Sequence, residues 1–518
     1  MKMKIVVGIA MVVGMFGTAL AQKIEVRMTG MTDTVYLAKY RGKQLLYADT
    51  VVSKAGKAIF DTKRLGDYQP GMMAFLTKDN KGFFQFIYNF EDIIIEATLD
   101  NAMQNAKVIK SEENKQFYEY LGKISEYKEK AKPIQMQITK EQDAAKKKEL
   151  EKKRDDLNEE VRQFQLDFAE KNKDKLVGAF IKMSVDIKIP DAPEGAAEDW
   201  QYQWYINHYW DHCNLKMPGI QNSEILHAKM EYYFGDKLLL VPDSINKYAD
   251  LLIQKSEEGS ETFRYLVNYI TSNYERSKIL GMDAVFVHMA SKYYCPPNNK
   301  AFWMSDEQLT KLCERKDKWA PLILGVEAPY LKLPDSTEKN WVAFYDLEAE
   351  YKILYFWDPD CGHCKKATPK LQTLYEKKFK QRNIEVYAIG KAQGEDFDKW
   401  KKYIRENNLQ FYNVGLTKTV FEKATGKDGA GQFIVHYLEK GVSTEESLKR
   451  LNQSMNYTTT YDIFSTPRVF VLDKDNKIVA KSLSIAQLEE FLDRKQGKAD
   501  EPKIFKIEDE EPEDKMDH

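Results

Sequence analysis

The sequence predicts a multidomain α+β protein: an antiparallel β-domain first, an all-α region in the middle, and an α/β sandwich near the C-terminus. Three observations carry this. The chain has 518 residues, more than one hydrophobic core ordinarily serves. Residues 23–99 alternate short β-prone runs with Gly and Asp turns, and beyond residue 110 the apolar positions change to helical spacing. Farther on, Ile353-Leu354-Tyr355-Phe356-Trp357 runs through Asp358-Pro359-Asp360 into Cys361-Gly362-His363-Cys364 and a Lys-rich helical pattern. A cysteine at a helix N-terminus feels free backbone N–H groups and the positive end of the dipole, which favour thiolate, the attacking species.

At the start, Lys2 and Lys4 precede an apolar stretch over residues 5–20, and Ala19-Leu20-Ala21 supplies the small residues a signal peptidase needs. Residues 1–21 therefore read as a signal peptide, with the mature chain expected to begin at Gln22. No later segment reaches about 18 uninterrupted apolar residues, and no cysteine follows the leader to accept a lipid. The expectation is a soluble protein exported to the periplasm. A net charge of −2 gives no basic field, which excludes nucleic acid as a partner. With 31% charged and 12% aromatic residues, the chain has ample material for cores, and disorder is expected only at the ends.

Residues 22–105 are expected to form an antiparallel sandwich or barrel, with no helix between Lys23 and about Leu99, from runs such as Thr34-Val35-Tyr36-Leu37-Ala38 and Ile93-Ile94-Ile95-Glu96-Ala97. Residues 106–185 read as a helical hairpin. Leu150, Leu157, Val161, Phe164 and Phe168 make one stripe, and Pro133 is expected to separate that helix from the one bearing Phe117, Leu121 and Ile124. The heptads are too few for a coiled coil. Residues 186–324 form an all-α domain with breaks at Pro218, Pro242 and Pro296-Pro297.

Within it, His208 and His212 stand four apart and could share a zinc ion on one helix face. No Glu follows His208, and Trp204, Tyr205, Tyr209 and Trp210 read as core, so packing is the favoured account and no metal is assigned. Cys361, His363 and Cys364 lack a second ligand pair for zinc, and Lys365 stands where haem c attachment needs His. Of the remaining cysteines, Cys295 and Cys313 either bridge a helical connection or lie as buried small hydrophobes, and Cys213 is left over.

Residues 325–496 change pattern again. The dithiol strand, a helix and Ile384-Glu385-Val386-Tyr387-Ala388-Ile389 imply a parallel crossover; 467–473, a turn, 477–481 and a helix from Ile485 add a hairpin and a closing helix. Phe356-Trp357 stands four residues before Cys361, Pro369 five after Cys364, and Ser465-Thr466-Pro467 before the hairpin. These residues resemble thioredoxin, and more closely its exported TlpA/ResA-like relatives, over about residues 325–495. Ala328-Pro329 at the opening, and the insertion before the proline motif, favour those relatives over cytosolic thioredoxin. The front modules are similar to modules fused ahead of such thioredoxins in envelope proteins of Bacteroidetes-type bacteria, and imply no mechanism.

The resemblance implies a thiol-disulfide oxidoreductase without cofactor. Cys361 would attack a partner disulfide and Cys364 would resolve the mixed disulfide. Pro467 matches the family's cis-proline and frees the Thr466 carbonyl to pair with an extended substrate. Pro369 would kink the active-site helix, Trp357 would pack under the dithiol, and His363 as imidazolium would favour the Cys361 thiolate, with Asp360 opposing it. The partners implied are protein disulfides or dithiols and a membrane thiol-disulfide electron donor, in a reductase or isomerase role. The alternative is an envelope scaffold whose β- and α-modules bind a partner. Two departures from the family stand out. Tyr355 replaces the buried acid six residues before Cys361, and a longer insertion over 414–457 is expected to decorate an edge. Residues 497–518 read as a disordered acidic tail.

Overall fold

The computed structural model describes residues 23–65, 70–79 and 82–509; the expected leader and the start at Gln22 lie outside the described residues. The chain divides into two compact units, Met1–Leu238 with Asp250–Leu266, and Leu239–Ala249 with Val267–His518. Among the described residues no helix is long and apolar enough to cross a membrane.

The first unit opens with two four-stranded sheets. One orders Lys57–Asp61, Lys23–Thr29, Ile93–Thr98 and Lys107–Lys110; the other orders Gln44–Val52, Thr34–Arg41, Gly71–Thr77 and Phe84–Tyr88. Neighbours run antiparallel except Lys23–Thr29 and Ile93–Thr98, which pair in parallel with Ile24 opposite Ile93. Alternate residues point to opposite faces, so Ile24, Val26, Phe60, Phe75, Phe84 and Ile95 share one solvent-free core. Against the expectation of no helix between residues 23 and 99, a 3-10 turn occupies Thr62–Leu65, and a short α-helix, Ala102–Asn105, lies just beyond that range.

A helical hairpin follows, Glu112–Lys140 and Ala144–Lys171, held by Tyr120 against Phe164 and Phe168 at ring separations of 6.0 and 5.5 Å. Contrary to expectation, Pro133 does not separate two helices but lies inside Glu112–Lys140. Its missing N–H would have bonded the carbonyl of Glu129, and both Pro133 and Glu129 are exposed residues, on the side of the helix where the loss of one bond costs least. The break falls instead at Glu141, before the cap Asp143. Ser111 caps the first helix, and the buried Asn114 side chain pairs with both N–H and C=O of Ile87, tying helix to sheet.

In the second unit a five-stranded sheet orders Tyr412–Val414, Ile384–Gly390, Tyr351–Trp357, Arg468–Asp473 and Ile478–Lys481. The first three strands are parallel and the last two antiparallel, the outcome of a crossover followed by a hairpin. Tyr351–Trp357 is buried on both faces: Ile353, Tyr355 and Trp357 join the layer of helices Gly362–Leu374 and Ile485–Lys495, and Leu354 and Phe356 join the opposite layer.

That opposite layer is built by the insertion together with residues 322–347. Helices Lys418–Thr425 and Thr444–Met455 and the turns around them bring Val420, Phe433, Tyr437, Leu451, Tyr457 and Tyr461 against Phe356 and Phe470. The insertion therefore packs on a sheet face, beside Leu331, Leu333 and Phe344, rather than decorating an edge, because its apolar residues recur at helical spacing and need a core. Cys295 and Cys313 form a disulfide with their Cα atoms 5.7 Å apart, closing the alternative left open by sequence. The acidic tail is also not free from residue 497. The N–H groups of Ile504 and Phe505 donate to the buried Glu489 carboxylate at 2.8 and 2.9 Å, and Lys378 donates to the Pro502 carbonyl. Residues 510–518 lie outside the described residues.

Candidate active site

The strand Tyr351–Trp357 ends at the chain turn that starts helix Gly362–Leu374, with Cys361 as its N-cap. Cys361 is half-buried and Cys364, one turn into the helix, is buried. The Thr466–Pro467 peptide is cis, and the Thr466 carbonyl oxygen accepts from the Cys361 thiol at 3.1 Å, across 105 residues of sequence. Sheet pairing makes this approach: the strand Arg468–Asp473 lies antiparallel to Tyr351–Trp357, with Arg468 opposite Phe356.

The two sulfurs titrate in opposite directions. Burial pushes the Cys361 thiol up, but the backbone N–H of Cys364, the contact with Thr466, the Cys364 thiol and the backbone N–H of His363 outweigh it, leaving Cys361 below its ordinary value. Cys364 is pushed up to about 12, first by burial, with the Asp358 N–H donating to its sulfur at 3.4 Å as a partial offset. One sulfur is thus accessible and readily ionised, and its neighbour is held as a thiol.

Trp357 is buried with Cys364 and packs on Tyr403 at 5.2 Å. Tyr355, standing where the family's acid is expected, pairs its phenol with the Thr368 hydroxyl at 2.8 Å. Burial drives the Tyr355 phenol far above its ordinary value. His363 is exposed, and Pro369 lies inside the active-site helix.

Sequence reasoning passed over Thr368, one turn beyond Cys364 on the same helix, and Tyr403, Lys391 and Lys399, which the fold brings to the dithiol from elsewhere. Lys399 pairs with Asp360 at 2.6 Å and with Asp396 at 3.5 Å, and Lys391 pairs with Asp358 at 3.3 Å and Asp396 at 3.1 Å. This chain of ion pairs offsets the carboxylate next to Cys361, and the Asp360 carboxyl is held below its usual range by Lys399. The only sign of it in sequence is the spacing of Lys391, Asp396 and Lys399.

The histidine pair of the first unit is not brought to a common ligand point. His208 meets Asp211 at 2.6 Å and stacks on Trp204, and His212 meets the Val185 carbonyl at 2.9 Å. Among the described residues no cluster of three or more His, Cys, Asp or Glu is arranged to hold a metal.

Residues 324–481 match the model of the AhpC/TSA family. Over 174 residues the chain is 24% identical to the thiol-disulfide oxidoreductase ResA of Bacillus cereus, covering 33% of this chain and 78% of that relative. A ResA of Bacillus thuringiensis is 24% identical over 172 residues, 33% of this chain and 76% of its own. Among solved structures, a domain of a possible thiol-disulfide isomerase from Cytophaga hutchinsonii is 30% identical with a TM-score of 0.25, over 34% of this chain and 96% of that one. A thioredoxin-like protein from Bacteroides caccae aligns over 59% of this chain and 97% of its own at 16% identity, TM-score 0.39. Together these matches, all within the C-terminal module, support a TlpA/ResA-like thioredoxin-fold protein similar to the thiol-disulfide oxidoreductases.

Proposed function

We propose that the protein exchanges disulfides with exported protein substrates through Cys361 and Cys364, working as a reductase or isomerase recharged by a membrane thiol-disulfide donor. The observation that carries this is the asymmetry of the sulfurs: Cys361 half-exposed and lowered in pKa, Cys364 buried and raised to about 12. The Cys361 thiolate attacks one sulfur of a substrate disulfide, forming a mixed disulfide and releasing the other as thiolate. Cys364 then loses its proton and attacks the Cys361 sulfur, closing the Cys361–Cys364 disulfide and releasing the second substrate thiol. Two electrons pass to the substrate, and the two protons of the dithiol end on its sulfurs. Thr466 and Pro467 would align the substrate backbone, Trp357 and Pro369 would fix the dithiol, and His363 would support the thiolate.

Export to the periplasm rests on Lys2, Lys4, the apolar residues 5–20 and the small residues before Gln22. A donor in the membrane follows from the ResA resemblance, and no cofactor enters the chemistry.

Dithiothreitol-driven insulin reduction tests the reading: Cys361→Ser abolishes it, and Cys364→Ser accumulates a mixed disulfide on Cys361. No turnover by the unmodified chain with any reductant would favour the scaffold alternative. The direction is tested by the potential of the Cys361/Cys364 couple, expected between about −180 and −270 mV; a value near −120 mV, that of a strong oxidant, would reverse it.

A further inference from the structure

The exposed residues next to the reactive sulfur in sequence are, apart from Gly362, charged or polar. Asp358 and Asp360 are tied to Lys391 and Lys399, and Gly362, His363 and Lys365 are exposed. Phe464 breaks that pattern. It stands two residues before Thr466, and at 87% exposure it is the most exposed large apolar side chain among the described residues, ahead of Tyr47 at 72%.

This ring is not the tip of a loose loop. On one side the Ile463 N–H donates to the Thr458 carbonyl at 2.8 Å, and the Asp462 carboxylate accepts from the Trp319 indole at 3.0 Å. On the other side Pro467 is buried and Arg468 begins the strand paired to Tyr351–Trp357. The backbone is anchored one and two residues before Phe464 and three and four residues after it, so the fold itself holds the ring in water. Two residues of chain span at most about 7 Å, which keeps Phe464 within that reach of Thr466, whose oxygen is 3.1 Å from the Cys361 sulfur.

We propose that Phe464 is a specificity residue of the exchange, receiving an apolar or aromatic side chain that flanks the cysteine under attack in an extended protein segment. This rests on the reading under Proposed function and names its substrate class. Large apolar side chains are more often buried in folded proteins, so unfolded or misfolded chains offer such a segment most readily and are the clients selected. The bonds made and broken are those already given: thiolate attack on the substrate disulfide, then closure of Cys361–Cys364, with the electrons coming from that dithiol. Phe464 contributes desolvated contact area to the encounter and takes no part in the covalent steps.

The test uses the full chain, pre-reduced and in excess, against two peptides that carry a mixed disulfide to glutathione on a single cysteine. They differ only in the neighbouring residue, Leu in one and Ser in the other. Single-turnover rate constants are read for the unmodified chain, Phe464→Ala and Phe464→Trp, with the pH dependence of Cys361 alkylation measured for each. The expected result is a Leu-over-Ser preference of about tenfold, a Phe-to-contact loss of the order given by apolar burial. It falls to within about twofold in Phe464→Ala and returns in Phe464→Trp. The proposal is overturned if the unmodified chain reduces both peptides without preference, or if Phe464→Ala keeps the preference. It is equally overturned if Phe464→Ala slows both peptides alike with a displaced Cys361 titration, which assigns the ring a structural role. Reduction of neither peptide by the unmodified chain sinks the parent reading, a separate outcome.

Discussion

The phenol of Tyr355 and the hydroxyl of Thr368 share a 2.8 Å hydrogen bond, both side chains fully buried, in the layer that holds Cys364. A buried acid at the Tyr355 position would offer Cys364 a proton acceptor; a phenol driven far above its ordinary pKa by burial does not. Tyr355→Phe is therefore expected to cost about 1 kcal/mol of stability, the net worth of one hydrogen bond. Decay of the mixed disulfide should stay within about twofold of normal, the bound expected of a group that gives up no proton. Urea unfolding and the rate of thiol release from a trapped mixed disulfide measure the two.

On helix Ile485–Lys495, Asp493 is buried and accepts from Lys378, Arg382 and Lys503 at 3.2, 2.6 and 2.6 Å. Burial pushes its carboxyl up, but the hydrogen bonds from Lys503, Arg382 and Lys378 outweigh this and hold it below the usual carboxylate range. A folded pKa below the unfolded value of about 3.9 means this stabilisation is complete above that pH and lost as pH falls through the folded value. Asp493→Asn should cost about 3 kcal/mol by stranding buried cations, and should flatten the loss of stability below about pH 4. Denaturant unfolding across pH 2–7 reads both. Truncation after Gly497 removes the N–H donors that Glu489 accepts from and should destabilise the same module.

Lys399 offsets the carboxylate of Asp360, next in sequence to Cys361. In Lys399→Glu two negative charges would face the sulfur, raising the Cys361 pKa and slowing its alkylation at pH 7 by about threefold at low salt. The pair is exposed, so the difference should vanish near 1 M salt, where the screening length is about 3 Å.

What could be read from the sequence depended on how local its cause was. The dithiol strand was legible because one apolar run, one Cys-x-x-Cys and one helix start lie within a dozen residues, and Thr466-Pro467 carries its own signature. The stripe Leu150 to Phe168 was legible for the same reason, lying on one helix, Ala144–Lys171. Pro133 misled because proline chemistry is local but the solvent that relieves it is not. The insertion misled because its aromatic residues are spaced for a core whose other half, Phe356 and Phe470, is distant in sequence. Charge in the tail hid its docking, since Glu489 accepts backbone N–H groups of Ile504 and Phe505 that no composition reveals. Pairing of Cys295 with Cys313 needed a Cα separation of 5.7 Å, a quantity of the fold alone.

The difference between two sulfurs is the centre of the account, and alkylation of the reduced, folded chain with iodoacetamide as a function of pH, read residue by residue by mass spectrometry, tests it most directly. The expected result is rapid labelling of Cys361 at neutral pH, with its midpoint below the ordinary cysteine value of about 8.5. Cys364 and Cys213, both pushed up to about 12 by burial, should stay unlabelled until the chain unfolds. Equal labelling of Cys361 and Cys364, or none on Cys361 before unfolding, would contradict it.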